Sequence, residues 1–139
     1  MNYLVDSNIL TRLSQPENQH HIFARRATIQ LRLRNENVFI VPHNIIEFWA
    51  VSTWPTESNG LGLTIDEAKF EIRKFKRLFK LIEDSAWIFA AWERLVDKHK
   101  VVGKNVHDAR IVAAMLEHKI THLLTFNIQD FKRFNEITV

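Results

Sequence analysis

The chain has 139 residues, 46% hydrophobic and 25% charged, with a net charge of +3 and no cysteine. Such numbers describe one ordinary globular domain, here 1–139, large enough to bury a core without covalent staples. They exclude disulfides, thiolate zinc sites and thiol catalysis. No apolar run approaches the roughly 18 residues of a membrane helix, and Asp6 interrupts the only apolar start, so a cytoplasmic protein without a signal segment is expected.

The chain opens on a strand over 2–5, followed by a short helix from Asn8. A longer helix over about 17–34 carries Ile22, Ile29 and Leu33 in register. A strand over 38–41 is stopped by Pro42, and a helix over 44–53 follows. Pro, Gly, Ser and Asn make 54–62 a loop. Thr64-Ile65-Asp66-Glu67 is a capping box that opens a helix to about Phe79. A short strand is expected at 80–82, helices at 85–100 and 105–119, a strand at 121–125, a turn or short helix at 127–131 and a last strand at 136–139. Strands alternating with helices imply an α/β sandwich with a mostly parallel central sheet.

Ligands of an open parallel sheet collect beyond the carboxyl ends of its strands. Four segments place an acid or amide there: Asp6 after Tyr3-Leu4-Val5, Glu47 in the helix after the second strand, Asp108 near the start of the 105–119 helix, and Asn127 and Asp130 after Leu123-Leu124-Thr125. On a helical projection Asp108 falls inside the apolar arc, between Met115 and Val112. Glu47 rides a helix that is apolar almost all round. Burying a carboxylate without a partner costs several kcal/mol, on the order of what a cation must offset. Two readings stay open for these acids: helix caps and macrodipole partners, with Asn44, Asn105 and Asn127 as caps, or ion pairs with Arg12 or Arg110. The third is convergence. Converging carboxylates raise one another's pKa, and a hard ion such as Mg²⁺ or Mn²⁺ relieves them.

Other features carry less. Basic groups cluster at Lys69, Arg73, Lys74, Lys76, Arg77 and Lys80, and at Arg25, Arg26, Arg32 and Arg34, which favours anionic partners such as nucleic acid over a neutral small molecule. His20, His21, His118 and His122 form no zinc-binding pattern. Trp49, Trp87 and Trp92 lie in helical apolar patterns and read as core, leaving Trp54 in the loop as a base-stacking candidate.

At these residues the chain resembles the PIN-domain nucleases, and among them the VapC-like toxin ribonucleases. Tyr3-Leu4-Val5-Asp6-Ser7-Asn8-Ile9-Leu10 is similar to the family's first motif, Glu47 to its second acid, His107-Asp108-Ala109 with Ile111-Val112-Ala113-Ala114 to its third. Leu123-Leu124-Thr125-Phe126-Asn127-Ile128-Gln129-Asp130-Phe131 is similar to its closing segment. The resemblance implies a PIN-like α/β/α sandwich, Mg²⁺ or Mn²⁺, and endonucleolytic cleavage of RNA. Asp6, Glu47 and Asp108 would bind the metal, with Asn127 as fourth site residue and Ser7, Thr125 and Asp130 in support. Many relatives carry Asp where Asn127 stands, which implies a weaker second metal site. The resemblance further implies an antitoxin partner, seated in a groove between the helices after the first strand and the 54–79 region, and a homodimer. The competing readings are a binding module of this fold with decayed catalysis, a PIN nuclease outside any toxin–antitoxin pair, and a receiver- or phosphatase-like domain, for which paired acids and a strand-end Lys are missing.

Overall fold

The computed structural model describes all 139 residues, Met1–Val139. Strands β1 (Asn2–Val5), β2 (Asn37–Ile40), β3 (Lys80–Leu81) and β4 (His122–Leu124) form one sheet in the order β3-β2-β1-β4, every pairing parallel. Seven α-helices accompany them: α1 (Ser7–Leu13), α2 (His21–Leu33), α3 (Pro42–Thr53), α4 (Ile65–Leu78), α5 (Ile88–Lys98), α6 (Val106–Glu117) and α7 (Ile128–Phe131). From β1 the chain goes to β2 and β3 on one side and reaches β4 on the other. The order of strands therefore reverses at β1, and the crevice of a parallel sheet opens beyond such a point.

Alternation along the strands splits the core into two layers, because successive side chains face opposite sides of a sheet. Leu4 and Leu123 join Ile88, Leu95, Ile111, Met115, Phe131 and Phe134 on the α5–α6 side. Val5, Val38 and Ile40 join Leu10, Phe48, Ile72 and Phe75 on the α1–α4 side. The expected α/β/α sandwich is thus present, with an all-parallel rather than mostly parallel sheet.

Several elements depart from the sequence reading. Residues 136–139 are not a strand: only Thr138 bridges to His122. The longer helix begins at His21, because Asn18 folds back and its side-chain oxygen accepts from the His20 N–H at 2.9 Å. Its buried face is Ala24, Thr28 and Leu31, so Ile22, Ile29 and Leu33 point to water. Helix α3 starts at Pro42, where the missing N–H costs nothing. Trp87 lies just before α5 and is 70% exposed, so it is not core. The capping box at Thr64 and Glu67 forms as expected, with reciprocal bonds of 3.0 and 3.1 Å.

Candidate active site

Asp6 follows β1 directly and is the N-cap of α1. Only 5% of it is exposed. Its Oδ1 accepts from the Ser7 N–H at 2.8 Å and its Oδ2 from the Thr125 hydroxyl at 2.7 Å. No lysine or arginine pairs with it. Burial pushes its carboxyl above the usual range, and the charge of Glu47 adds to the rise, while the Thr125 and Ser7 bonds oppose it.

Thr125 uses its whole hydrogen-bonding capacity. It donates to Asp6 and accepts from Asn8 Nδ2 and from the Asn127 N–H, both at 3.0 Å. Asn8 Oδ1 in turn accepts from the Phe126 N–H at 3.3 Å. One hydroxyl therefore locks the turn after β4 onto the end of β1. Thr125→Val is expected to cost about 1–3 kcal/mol, because it strips a donor from a buried carboxylate without changing shape much. Denaturant unfolding at pH 7 measures it, and a cost near zero would mean that water replaces the hydroxyl.

Glu47 reaches the site from the second turn of α3. Its Oε2 accepts from the Ser7 hydroxyl at 3.2 Å, so a single serine joins Asp6 to Glu47 across the β1 and β2 junctions. Its Oε1 lies 2.9 Å from His43 Nε2, one turn earlier. That nitrogen is buried without a properly directed hydrogen bond, so the contact depends on charge more than on geometry. The His43 ring also stacks on His107 at 5.9 Å.

Asp108 is half-buried, and its carboxyl is raised to about 6, first by burial and then by Asp130, Asp6 and Glu47, with Arg133 opposing. Four acids from separate segments thus act on one another. The alternative explanations for them fail locally. Val41 N–H is capped by Asn44 Oδ1 at 2.9 Å, which leaves Glu47 free of any cap. Asn105 makes no side-chain cap to α6. Arg12 binds Gln15 and Arg110 binds Asp84.

Glu47, Asp108, Asn127 and Asp130 line a cleft of about 440 Å³ together with His43, His107 and Lys104. Asp6 is set back from it and acts through Ser7 and Thr125. Glu47 is more open than its apolar helix suggests, with 37% of its side chain exposed. None of the basic residues singled out on α2 and α4 lines the cleft. No three acidic or imidazole groups are already drawn together as a ligand set. The donor chemistry nonetheless suits a hard divalent ion, which binds through one or two carboxylates and keeps several waters. Asn8 and His43 were missed in the sequence. His43 was accessible to it, because positions four apart on a helix are neighbours.

An all-parallel sheet with an acid-rich, cation-poor cleft at its reversal point defines a class of α/β domain built to hold a cation. The chain belongs to the PIN domain family, whose profile matches residues 3–137. No curated protein matches it significantly. Among solved structures it is similar to a chain of VapBC2 from Rickettsia felis, bound to a promoter DNA fragment, with TM-score 0.72, 18% identity and coverage of 99% of this chain and 96% of that one. It is also similar to VapC20 from Mycobacterium tuberculosis, a sarcin-ricin loop cleaving toxin, with TM-score 0.65, 18% identity and 92% coverage of each chain. VapBC-1 from nontypeable Haemophilus influenzae gives TM-score 0.69 and 17% identity over 99% and 96%. At these identities the likeness is one of fold. No helix is long and apolar enough to cross a membrane.

Proposed function

We propose that the protein is a Mg²⁺- or Mn²⁺-dependent endoribonuclease and the toxin of a toxin–antitoxin pair. The observation that carries this reading is the mutual repulsion of Asp6, Glu47, Asp108 and Asp130 at the sheet's reversal point with no arginine or lysine bonded to the first three. Asp6, Glu47 and Asp108 would hold the ion. When bound, it supplies positive charge to a phosphodiester and orients the attacking water. The chain's own groups set the geometry. Ser7 and Thr125 fix the carboxylates, Lys104 offers the cleft a cation for the backbone phosphate, and the Asn127 amide orients water or a neighbouring carboxylate without adding charge. A structured RNA incubated with wild type and with Asp6→Ala, in Mg²⁺ and in chelator, tests the assignment. Equal cleavage by both proteins refutes it. The spread of the acids and the amide at 127 favour the second reading, a binding module with lost catalysis, which predicts RNA retention without cleavage.

The antitoxin would occupy a groove of about 250 Å³ between α2 and α4, which takes in Leu13, Ile29 and Leu78 with Arg25, Arg32 and Lys74 at its edge. The bulky stripe left exposed on α2 and part of the basic clusters then have one explanation: they suit an amphipathic segment with apolar anchors and acidic flanks. Ile29→Asp should weaken capture of the product of the adjacent reading frame by about 30-fold or more, the scale of an interface anchor. RNA cleavage should persist, because the groove shares no residue with the acid cleft. The expected homodimer is decided by sedimentation.

A further inference from the structure

A second cavity abuts the acid cleft, and His107 lines both. It measures about 500 Å³ and lies between the start of α5 and α6. One wall is aromatic. Phe89 is 65% exposed, and its ring lies 5.8 Å from that of Trp92 at an angle of 23°. Trp92 is fixed from behind, because its indole N–H donates to the Val106 carbonyl at 2.8 Å. Facing this wall is Arg110. Its Nη2 donates to Asp84 at 3.2 Å, while its Nη1 is buried with no acceptor at all. Buried donors are nearly always paired in folded proteins, so an orphan beside a cavity marks the place of an absent acceptor.

His107 and Arg110 are three residues apart on α6 and share a face, while Asp108 stands on the neighbouring one. The cavity is therefore separated from the acids by about the width of a helix, roughly 10 Å. We propose that it seats a nucleobase flanking the scissile phosphate, stacked on Phe89 with its acceptor edge on Arg110 Nη1. This rests on the ribonuclease reading. Aromatic faces take any base, but a guanidinium donor selects, and guanine presents O6 and N7 together at one edge. A single directed donor set in an apolar recess fits a base better than a protein face, which would need only the apolar part.

The test uses single-stranded octamers of adenosine carrying one guanine, uracil or cytosine at each position in turn. Cleavage is followed in Mg²⁺, and binding separately by fluorescence anisotropy in Ca²⁺. Wild type should favour guanine over adenine at one position by about tenfold. Phe89→Ala and Arg110→Gln should each bring that ratio to within about twofold; as a ratio it cancels any general loss of activity. Phe89 is exposed enough for its truncation to leave folding intact. If no RNA is cut but the guanine preference appears in binding and vanishes in both variants, the cavity stands and the ribonuclease reading falls. Indifference of wild type to the base in both assays overturns the proposal, as does a preference that survives both substitutions. So does a Phe89→Ala protein that changes only from dimer to monomer in sedimentation, since the cavity would then belong to a second copy of the chain.

Discussion

Asp6→Asn is expected to lower RNA hydrolysis by about 10³-fold while the protein stays folded, the upper end of what one charge-stabilising group contributes. Asp6 is the acid that the fold holds hardest. It terminates the central strand β1, it is almost fully buried, and two hydrogen bonds from Ser7 and Thr125 prescribe where each oxygen lies. An amide of the same shape keeps the cap on the Ser7 N–H and removes the charge that burial penalises. Stability at pH 7 should therefore hold or rise as activity collapses, which separates a lost function from a lost fold. Steady-state cleavage of a structured RNA and thermal melting, run on the same preparation, report the two quantities. Residual activity above about a tenth of wild type, where a single essential carboxylate allows far less, would remove Asp6 from the reacting centre.

How much of this was readable beforehand depended on which physical signal each residue gives. Asp6, Thr125 and Asn127 follow short apolar runs, and an acid or amide at the end of a buried parallel strand has few structural uses, so their neighbourhood could be read directly. Asp108 declared itself by sitting inside an apolar arc. Glu47 did so less truly: its helix is apolar all round because α3 also exposes Ile46 and Val51, and not because it is fully buried. Periodicity misled on α2, where Ile22, Ile29 and Leu33 form a stripe that the domain leaves uncovered while small Ala24 and Thr28 let the helix approach the sheet. Periodicity identifies an apolar face but cannot say what covers it. The segment 136–139 has strand-like residues but makes one bridge, because pairing length is a tertiary property. Asp130 had the spacing of a cap, and only the folded chain places its charge as the strongest neighbour of Asp108.

Asp108→Asn is expected to make the cation-free protein more stable at pH 7.5 and to cut RNA hydrolysis by about 10²-fold, a trade common where like charges are gathered for function. The sign follows from proton binding. Because the Asp108 carboxyl is raised from 3.8 to about 6, the native protein binds more protons than the unfolded chain between those values. Stability therefore falls as pH rises through that window, and the loss is complete above about pH 6. Buried Asp6, also raised, acts in the same direction. This opposes the usual acid unfolding, in which carboxylates lend stability as pH rises. Half of Asp108 is in contact with water, so the gain at pH 7.5 should be about 1 kcal/mol after screening, or roughly 2–4 °C in melting temperature. Millimolar Mg²⁺ should raise the melting point of wild type, since a ligand of the native state stabilises it by mass action, and should do so less for Asp108→Asn. Melting curves from pH 4 to 8 in chelator and in Mg²⁺ contain all four comparisons. A variant that melts below wild type in chelator at pH 7.5 would mean that Asp108 lends the fold support instead of straining it, and the acids would then need no cation to explain them.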